Sequence, residues 1–437
     1  MNYNEAIQYL NSLSKFGIKL GLGRIERLLN EMGNPQNQLK VIHIAGTNGK
    51  GSTAMMLANI LRHSGYTTGT FISPYIICFR ETIQIDGQMI SESEFLECAQ
   101  FVFDCAKRST VDDENPTQFE IQTAIAFEWY KRRKCEYVCL EVGLGGRFDS
   151  TNVISPPIMQ IITSISLDHT QILGDTIEEI AFEKAGIIKG GSTVVYPLQS
   201  EGALKVIASK CKEVNSKLVM PDLTHLDIGE GDWKKSEFIY EGIVYHKALF
   251  GEFQIYNAIT TITAARQLRK MGVAITDDDI KQGIEKVAYP ARMEVLSNEP
   301  FIILDGSHNP DGVKALEKVL KELSNYSITI LMGVLADKNY SDMLDTLGKY
   351  IDEWIAVTPN NPRALSCKDL YEQIKRKHHN VCYYEDLTQA INYAMEKMND
   401  KSLLVVCGSL YLAADIRPLI LSRLEEKTHK EIKNVKC

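Results

Sequence analysis

Short apolar runs alternate with stretches of helical period along most of this chain. The runs at 40–45, 67–72, 136–142, 158–165 and 192–197 are rich in β-branched residues and read as buried strands. Between them, 51–63, 91–108, 119–133 and 176–185 repeat apolar residues at helical spacing. Such alternation predicts a mostly parallel sheet covered on both faces. The pattern shifts over about 222–251, where Phe238-Ile239-Tyr240 and Ile243-Val244-Tyr245 flank Glu241-Gly242 and predict an antiparallel hairpin. Helical patterns at 254–270 and 276–286 follow. After Tyr289-Pro290 the alternation restarts, with strands expected at 301–305, 327–333, 353–358, 381–384 and 402–406. Helices are expected at 310–323, 338–349, 366–376, 386–397 and 409–424. The expected fold is α/β: a P-loop-type, mostly parallel sheet domain with a small antiparallel flap over 1–292, and a C-terminal Rossmann-like α/β domain over 293–437. The hinge is expected around 288–297.

The first strand pattern empties into Gly46-Thr47-Asn48-Gly49-Lys50-Gly51-Ser52, with a helical pattern directly behind it. Strand, glycine turn and helix is the arrangement that wraps backbone N–H groups around a phosphate chain. Lys50 offers a cation to the terminal phosphates, and the Ser52 hydroxyl suits Mg²⁺. The spacing departs from the usual P-loop: two residues separate Gly46 from Gly49, and Gly51 intervenes before Ser52.

In open α/β sheets ligands gather at the carboxyl ends of strands, and further polar clusters occupy those positions here. Tyr137–Leu140 leads into Glu141-Val142-Gly143-Leu144-Gly145-Gly146-Arg147-Phe148-Asp149, so Glu141 stands at a strand tip, able to complete a Mg²⁺ shell begun by Ser52. The nearby glycines would let backbone approach a ligand. Ser166-Leu167-Asp168-His169-Thr170 follows another strand, offering His169 as a nitrogen ligand or phosphate contact. Asp168 is a candidate to orient it, although adjacent residues on a strand face opposite ways. Lys184, in a helix that ends at Gly186, reads by itself as a surface cation complementing the helix dipole. In the second domain Phe301–Leu304 empties into Asp305-Gly306-Ser307-His308-Asn309-Pro310, more polar chemistry than a plain βα loop requires.

Composition narrows the class. With 437 residues, two domains are expected, and a 44% apolar, 24% charged composition is ordinary for a globular protein. A formal charge of −8 argues against a general nucleic-acid binder. The start of the chain lacks the blocks of a signal peptide, and no apolar run reaches the ~18 residues of a membrane span. The ten cysteines form no Cys-x-x-Cys pair and read as reduced core residues, which points to the cytoplasm.

Taken together, Ala45–Ser52 with Ile72-Ser73-Pro74, Glu141–Asp149, Leu167-Asp168-His169-Thr170, Glu183-Lys184-Ala185-Gly186, Asp305–Pro310 and Gly408-Ser409-Leu410-Tyr411 resemble folylpolyglutamate synthases of the Mur ligase superfamily. The resemblance spans nearly the whole chain in the family's order. It implies ATP-dependent ligation of L-glutamate to the γ-carboxylate of a folate through an acyl phosphate, and leaves open dihydropteroate as a second acceptor. By position, Thr47, Asn48, Gly49, Lys50, Gly51 and Ser52 would hold the nucleotide phosphates, while Asn257, Arg292 and Asp305 would contact the rest of ATP. Ser52 with Glu141 would hold one Mg²⁺, and Ser73, Glu141 and His169 a second. Lys184 matches a lysine that relatives carbamylate; His308 and Ser409 would lie near the acyl phosphate and incoming glutamate, and K⁺ is a further ion to consider. The catalytic set implied is Lys50, His169, Lys184, His308 and Ser409. Residues 16–22 resemble a folate-side loop. Only small-molecule partners are implied, for a monomer that binds neither nucleic acid nor membrane.

Four positions depart from the family's habit: Phe253 for histidine, Ala291 for glycine, Tyr75 for histidine and Thr82 for arginine. The last two fall in a loop expected to meet the folate. Two other functions remain open on sequence. A Mur-type cell-wall amino-acid ligase is disfavoured by the Leu144–Asp149 and Gly408–Tyr411 blocks. A nucleotide-binding regulator without ligase activity would need fewer of Lys50, Ser52, Glu141, His169 and Lys184.

Overall fold

The structure, a computed structural model, describes residues 1–13, 19–111, 114–229, 237–246 and 248–435, with side chains as far as 426. The described residues group into two compact units: those within Met1–Asp227, Glu237–Ala248 and Gln254–Ala288, and those within Ile228–Ser236, Leu249–Phe253 and Tyr289–Cys437.

In the first unit the strands are β1 (Val41–Ala45), β2 (Thr68–Phe71), β3 (Ile83–Ile85), β4 (Gln88–Met89), β5 (Tyr137–Glu141), β6 (Met159–Ile162), β7 (Ser192–Val195) and β8 (Lys217–Val219). They form one sheet in the order β4-β3-β2-β5-β1-β6-β7-β8. From β2 to β8 every pairing is parallel, and β3 and β4 extend one edge antiparallel. Every residue of β1 and β5 is buried, as expected of parallel strands covered on both faces. A separate antiparallel sheet joins β9 (Leu226–Asp227), β10 (Glu237–Tyr240) and β11 (Ile243–His246), which is the flap the sequence predicted.

The covering helices are α1 (Tyr3–Ser12), α2 (Gly23–Glu31), α3 (Lys50–His63), α4 (Glu92–Ser109), α5 (Gln118–Arg132), the short α6 (Thr170–Leu173), α7 (Ile177–Ala185), α8 (Glu201–Glu213), α9 (Glu252–Lys270) and α10 (Asp277–Glu285). Capping fixes several of their starts. Thr117 and Glu120 form a reciprocal box at α5, and Thr176 and Glu179 form one at α7. The sequence pattern missed α1, α2 and α8.

The second unit carries β12 (Glu294–Asn298), β13 (Phe301–Leu304), β14 (Ser327–Met332), β15 (Glu353–Ala356), β16 (Val381–Tyr383) and β17 (Ser402–Cys407) in the order β12-β13-β17-β14-β15-β16. All its pairings are parallel except β12–β13. Helices α11 (Pro310–Glu322), α12 (Tyr340–Leu347), α13 (Cys367–Lys375), α14 (Leu387–Glu396) and α15 (Leu410–Val435) connect and cover it. The expected hinge at 288–297 therefore contains most of an edge strand, and α15 continues well past the predicted end at 424.

Candidate active site

In the first unit β1 lies between β5 and β6, so its carboxyl end opens at the centre of the sheet. The turn Gly46–Gly49 follows, and α3 starts at Lys50. Gly49 adopts φ 87°, a left-handed conformation, and a Cβ there would collide with Asn257 Oδ1. The turn is held by the segment after β6. Thr47 N–H donates to Ser164 O at 2.7 Å, Thr47 Oγ1 donates to Ser166 O at 3.0 Å, and Ser164 Oγ donates to Asn48 O at 3.2 Å. The opening N–H groups of α3, over Gly51 and Ser52, have no carbonyl within the helix to receive them, which suits an anion. Lys50 Nζ donates to Thr47 O at 3.1 Å, and the buried Ser52 hydroxyl accepts from Gln254 Nε2 at 3.3 Å. Asn257 Nδ2 donates to Gln254 Oε1 at 3.0 Å, so α9 braces the turn through both side chains.

Glu141, the last residue of β5, is buried and pairs in register with Ile44 of β1. Its Oε2 accepts the Ser73 N–H at 3.0 Å, joining two of the predicted metal-side residues. His169 stands differently from the expectation. The strand ends at Ile162, and His169 lies on a turn at φ 51°, capping α6 with its side chain 43% exposed. Because this is a turn, Asp168 does not point away: its Oδ1 accepts the His169 N–H at 2.9 Å, and Oδ2 is 3.9 Å from Nε2.

Lys184 departs furthest from its surface reading. It is 4% exposed, and its Nζ donates to the Gly46 carbonyl at 2.7 Å, placing it beside the Gly46–Gly49 turn. Burial lowers its pKa to about 7 and the Lys50 cation adds to that, with Asp168 and Asp149 opposing. A large neutral fraction at neutral pH makes this amine a nucleophile. The glycine loop 143–149 explains how the lysine is brought there. A Cβ on Gly146 would stand 2.8 Å from Glu183 O and 2.9 Å from Lys184 O, and one on Gly186 would stand 2.5 Å from Arg147 Cα. Gly146 admits protein backbone, where the sequence suggested that the glycines after Glu141 would let backbone approach a ligand. Arg147 N–H donates to Glu183 O at 2.8 Å, and its guanidinium lies 3.8 Å over the Phe182 ring.

Thr82, offered as a folate-side substitution, is buried and donates to Phe79 O at 2.8 Å, so it turns inward; Tyr75 is exposed. Of the suggested folate loop, residues 16–18 lie outside the described residues.

The second unit gathers the other predicted residues at the carboxyl ends of its strands. Asp305, buried after β13, accepts the N–H groups of Met293 and Ser307, both at 2.9 Å, and the Ser307 hydroxyl. Burial raises its pKa; the Ser307 hydroxyl, backbone donors and Arg292 oppose that rise. The Gly408 N–H donates to Ser307 O at 3.1 Å, tying this loop to Ser409, whose Oγ accepts the Tyr411 N–H at 3.1 Å at the head of α15. His308 Nδ1 lies 2.8 Å from Gly306 O, which makes Nδ1 the donor of that bond. Arg292 sits between Ala291 and Met293, both left-handed at φ 54° and 51°. That corner is held by Glu294, which accepts Ala291 N–H at 2.9 Å and the Arg417 guanidinium at 2.8–3.1 Å.

Sequence reasoning passed over His43, Asp149 and Thr151 as functional groups. All three are buried and hydrogen-bonded to one another, and no sequence signal marked them beyond a histidine inside an apolar strand.

Residues 44–265 match the Mur ligase middle domain, and 291–410 match the domain described as Mur ligase, glutamate ligase domain. Dihydrofolate synthase/folylpolyglutamate synthase of Bacillus subtilis is 38% identical over 95% of this chain and 98% of its own. The chain belongs to the folylpolyglutamate synthase family of Mur ligases. Folylpolyglutamate synthase of Lacticaseibacillus casei is 35% identical, over 96% of this chain and 99% of its own. Escherichia coli FolC, solved in complex with DHPP and ADP, superimposes with a TM-score of 0.84 at 28% identity, over 96% of this chain and 98% of its own. Membership supports an ATP-dependent folate–glutamate ligase over a cell-wall ligase or a regulator without chemistry, and matches the α/β class read from the sequence. No described helix is long and apolar enough to cross a membrane.

Proposed function

We propose that this chain joins L-glutamate to the γ-carboxylate of a folate at the expense of ATP, and that dihydropteroate is a second acceptor. A carboxylate resists attack by an amine because oxide would have to leave. Transfer of the terminal phosphoryl group of ATP to the carboxylate gives an acyl phosphate and ADP; the glutamate amine then forms the amide and phosphate departs. The reading is carried above all by the buried Lys184 amine against Gly46 O, beside the Lys50 turn. ADP bound to the E. coli relative supports a nucleotide substrate for this chain.

Residues Thr47 to Ser52 cradle the phosphates in this reading, and Lys50 offsets charge as the phosphoryl group moves. Hard oxygen donors and few carboxylates fit Mg²⁺, which keeps waters and substrate phosphates as ligands. Among the described residues no three His, Cys, Asp or Glu side chains gather as a closed metal cage. Ser52 and Glu141 would hold one ion and Ser73, Glu141 and His169 a second; bound Mg²⁺ would neutralise the phosphate oxygens. The Lys184 amine, neutral in good part near pH 7, adds to carbon dioxide, forming an N–C bond and losing a proton; the resulting carbamate is an anion facing the metal side. Asn257, Arg292 and Asp305 take the remaining ATP contacts, and His308 with Ser409 receives the glutamate side. The nucleotide domain is assigned to 1–292 and the glutamate domain to 293–437. A cytoplasmic monomer, with K⁺ as an accessory ion, completes the assignment.

The test is direct. Purified protein is incubated with Mg-ATP and glutamate plus either tetrahydrofolate or dihydropteroate, and the products are weighed by mass spectrometry. A gain of one glutamyl unit is expected on each acceptor; no gain on either would overturn the reading.

A further inference from the structure

One buried polar set in the first unit takes no part in the chemistry above. His43, the middle residue of β1, is fully enclosed, and its Nε2 lies 2.8 Å from Thr151 Oγ1. That hydroxyl gives its one hydrogen to Asp149 Oδ1 at 2.5 Å, so the imidazole must donate from Nε2. Burial, with Lys189 nearby, lowers the His43 pKa to about 3 and keeps the ring neutral. Nδ1 has no hydrogen-bond partner among the described residues. A valine would fill a strand interior without leaving a buried nitrogen unpaired, so the imidazole is accounted for by the contact it makes.

The contact leads onward. Asp149 also accepts the Thr151 N–H at 3.0 Å and, on its other oxygen, the Leu144 N–H at 2.8 Å, closing the glycine loop. From that loop Arg147 N–H reaches Glu183 O at 2.8 Å, and Asn152 Nδ2 donates to Arg147 O at 3.0 Å and Gly186 O at 3.2 Å. Lys189 Nζ donates to Asn152 O at 2.5 Å and Ile154 O at 2.7 Å. Residues 144–154 thus form a polar splint, fastened to β1 through His43 and to the end of α7 through backbone. The separation it spans is the one between the phosphate turn and Lys184.

We infer that His43 is a positioning residue for the ligation: through Thr151 and Asp149 it holds the end of α7 so that Lys184 stays seated against the Gly46 carbonyl. This rests on the role given to Lys184 above. The imidazole never touches substrate; it fixes a distance on which turnover depends, and small misplacements of a reacting group are costly in rate.

The test compares His43→Leu, His43→Gln, Thr151→Val and Thr151→Ser, with Lys184→Ala as reference. Glutamate-dependent ADP release gives kcat and KM, calorimetry gives ADP affinity, and thermal melting gives the folded fraction. His43→Leu and Thr151→Val should lower kcat about tenfold with ADP affinity within about twofold. Gln, whose amide donates near the place of imidazole Nε2, and Ser, which keeps the hydroxyl, should restore most of it. Should His43→Leu fail to fold, Thr151→Val carries the same comparison. Wild-type kcat in both Thr151→Val and His43→Leu, beside an inactive Lys184→Ala, would overturn this inference alone. Full turnover by Lys184→Ala would overturn the lysine's role and this inference with it.

Discussion

Replacing Lys184 with methionine should raise stability and abolish turnover, and the gain in stability should depend on pH. The amine is enclosed, and its pKa falls from 10.5 to about 7 on folding. Between those values the unfolded chain binds a proton that the folded chain does not, so wild-type stability rises with pH. Below pH 7 both states are protonated and the full penalty of the buried charge applies, about 5 kcal/mol at most. It shrinks by about 1.4 kcal/mol per pH unit above pH 7 and disappears above about pH 10.5. Methionine keeps the volume and has no proton to lose, although it forfeits the bond to Gly46 O, worth about 1 kcal/mol. Urea midpoints of both proteins at pH 7, 8 and 9, in buffer freed of carbon dioxide, measure the difference. The advantage of the methionine variant should fall by about 2 kcal/mol between pH 7 and pH 9. Parallel stability curves would refute the reasoning, because they would mean that the amine has the same affinity for its proton in both states.

Other substitutions probe the remaining parts. Gly49→Ala places a Cβ against Asn257 Oδ1 at a left-handed residue and should lose ADP binding by at least about tenfold in calorimetry, with β1 and α3 intact by circular dichroism. Arg417→Met removes the partner of half-buried Glu294 and should cost about 1–2 kcal/mol in denaturant unfolding while raising the KM for ATP, since Arg292 stands on the corner that Glu294 holds. His308→Ala should depress kcat for ligation far more than ADP affinity; equal losses in both would remove His308 from the glutamate side.

The sheet was legible because β1, β5, β6 and β14 are apolar runs whose burial is decided locally by their own composition. Glycine, lysine and serine in order behind β1 likewise announced a tight turn leading straight into a helix, which is what Gly46–Gly49 and α3 form. Elements with a thin apolar signal were not legible: α8 buries little beyond Ala203, Ile207 and Cys211, and β12 is an edge strand with Glu294 and Ser297 in its span. Lys184 could not be read as buried from its own neighbourhood, since its partner carbonyl lies 138 residues away. His43 is the same case: a polar residue inside an apolar strand gives no hint of Thr151 until the chain is folded. Asp168 stayed undecided as an orienting group for His169, because a strand would have turned it away where the backbone in fact turns.

The meeting of Gly146 with the carbonyls of residues 183 and 184, and of Gly186 with Arg147, bears on how genetic data from this protein should be interpreted. A saturation screen will report both glycines as intolerant of every replacement, with a severity usually credited to contact with substrate. Neither carries a side chain able to take part in the reaction. Their intolerance would measure how little room separates two stretches of main chain, and a map of the catalytic centre drawn from lethality alone would count them wrongly.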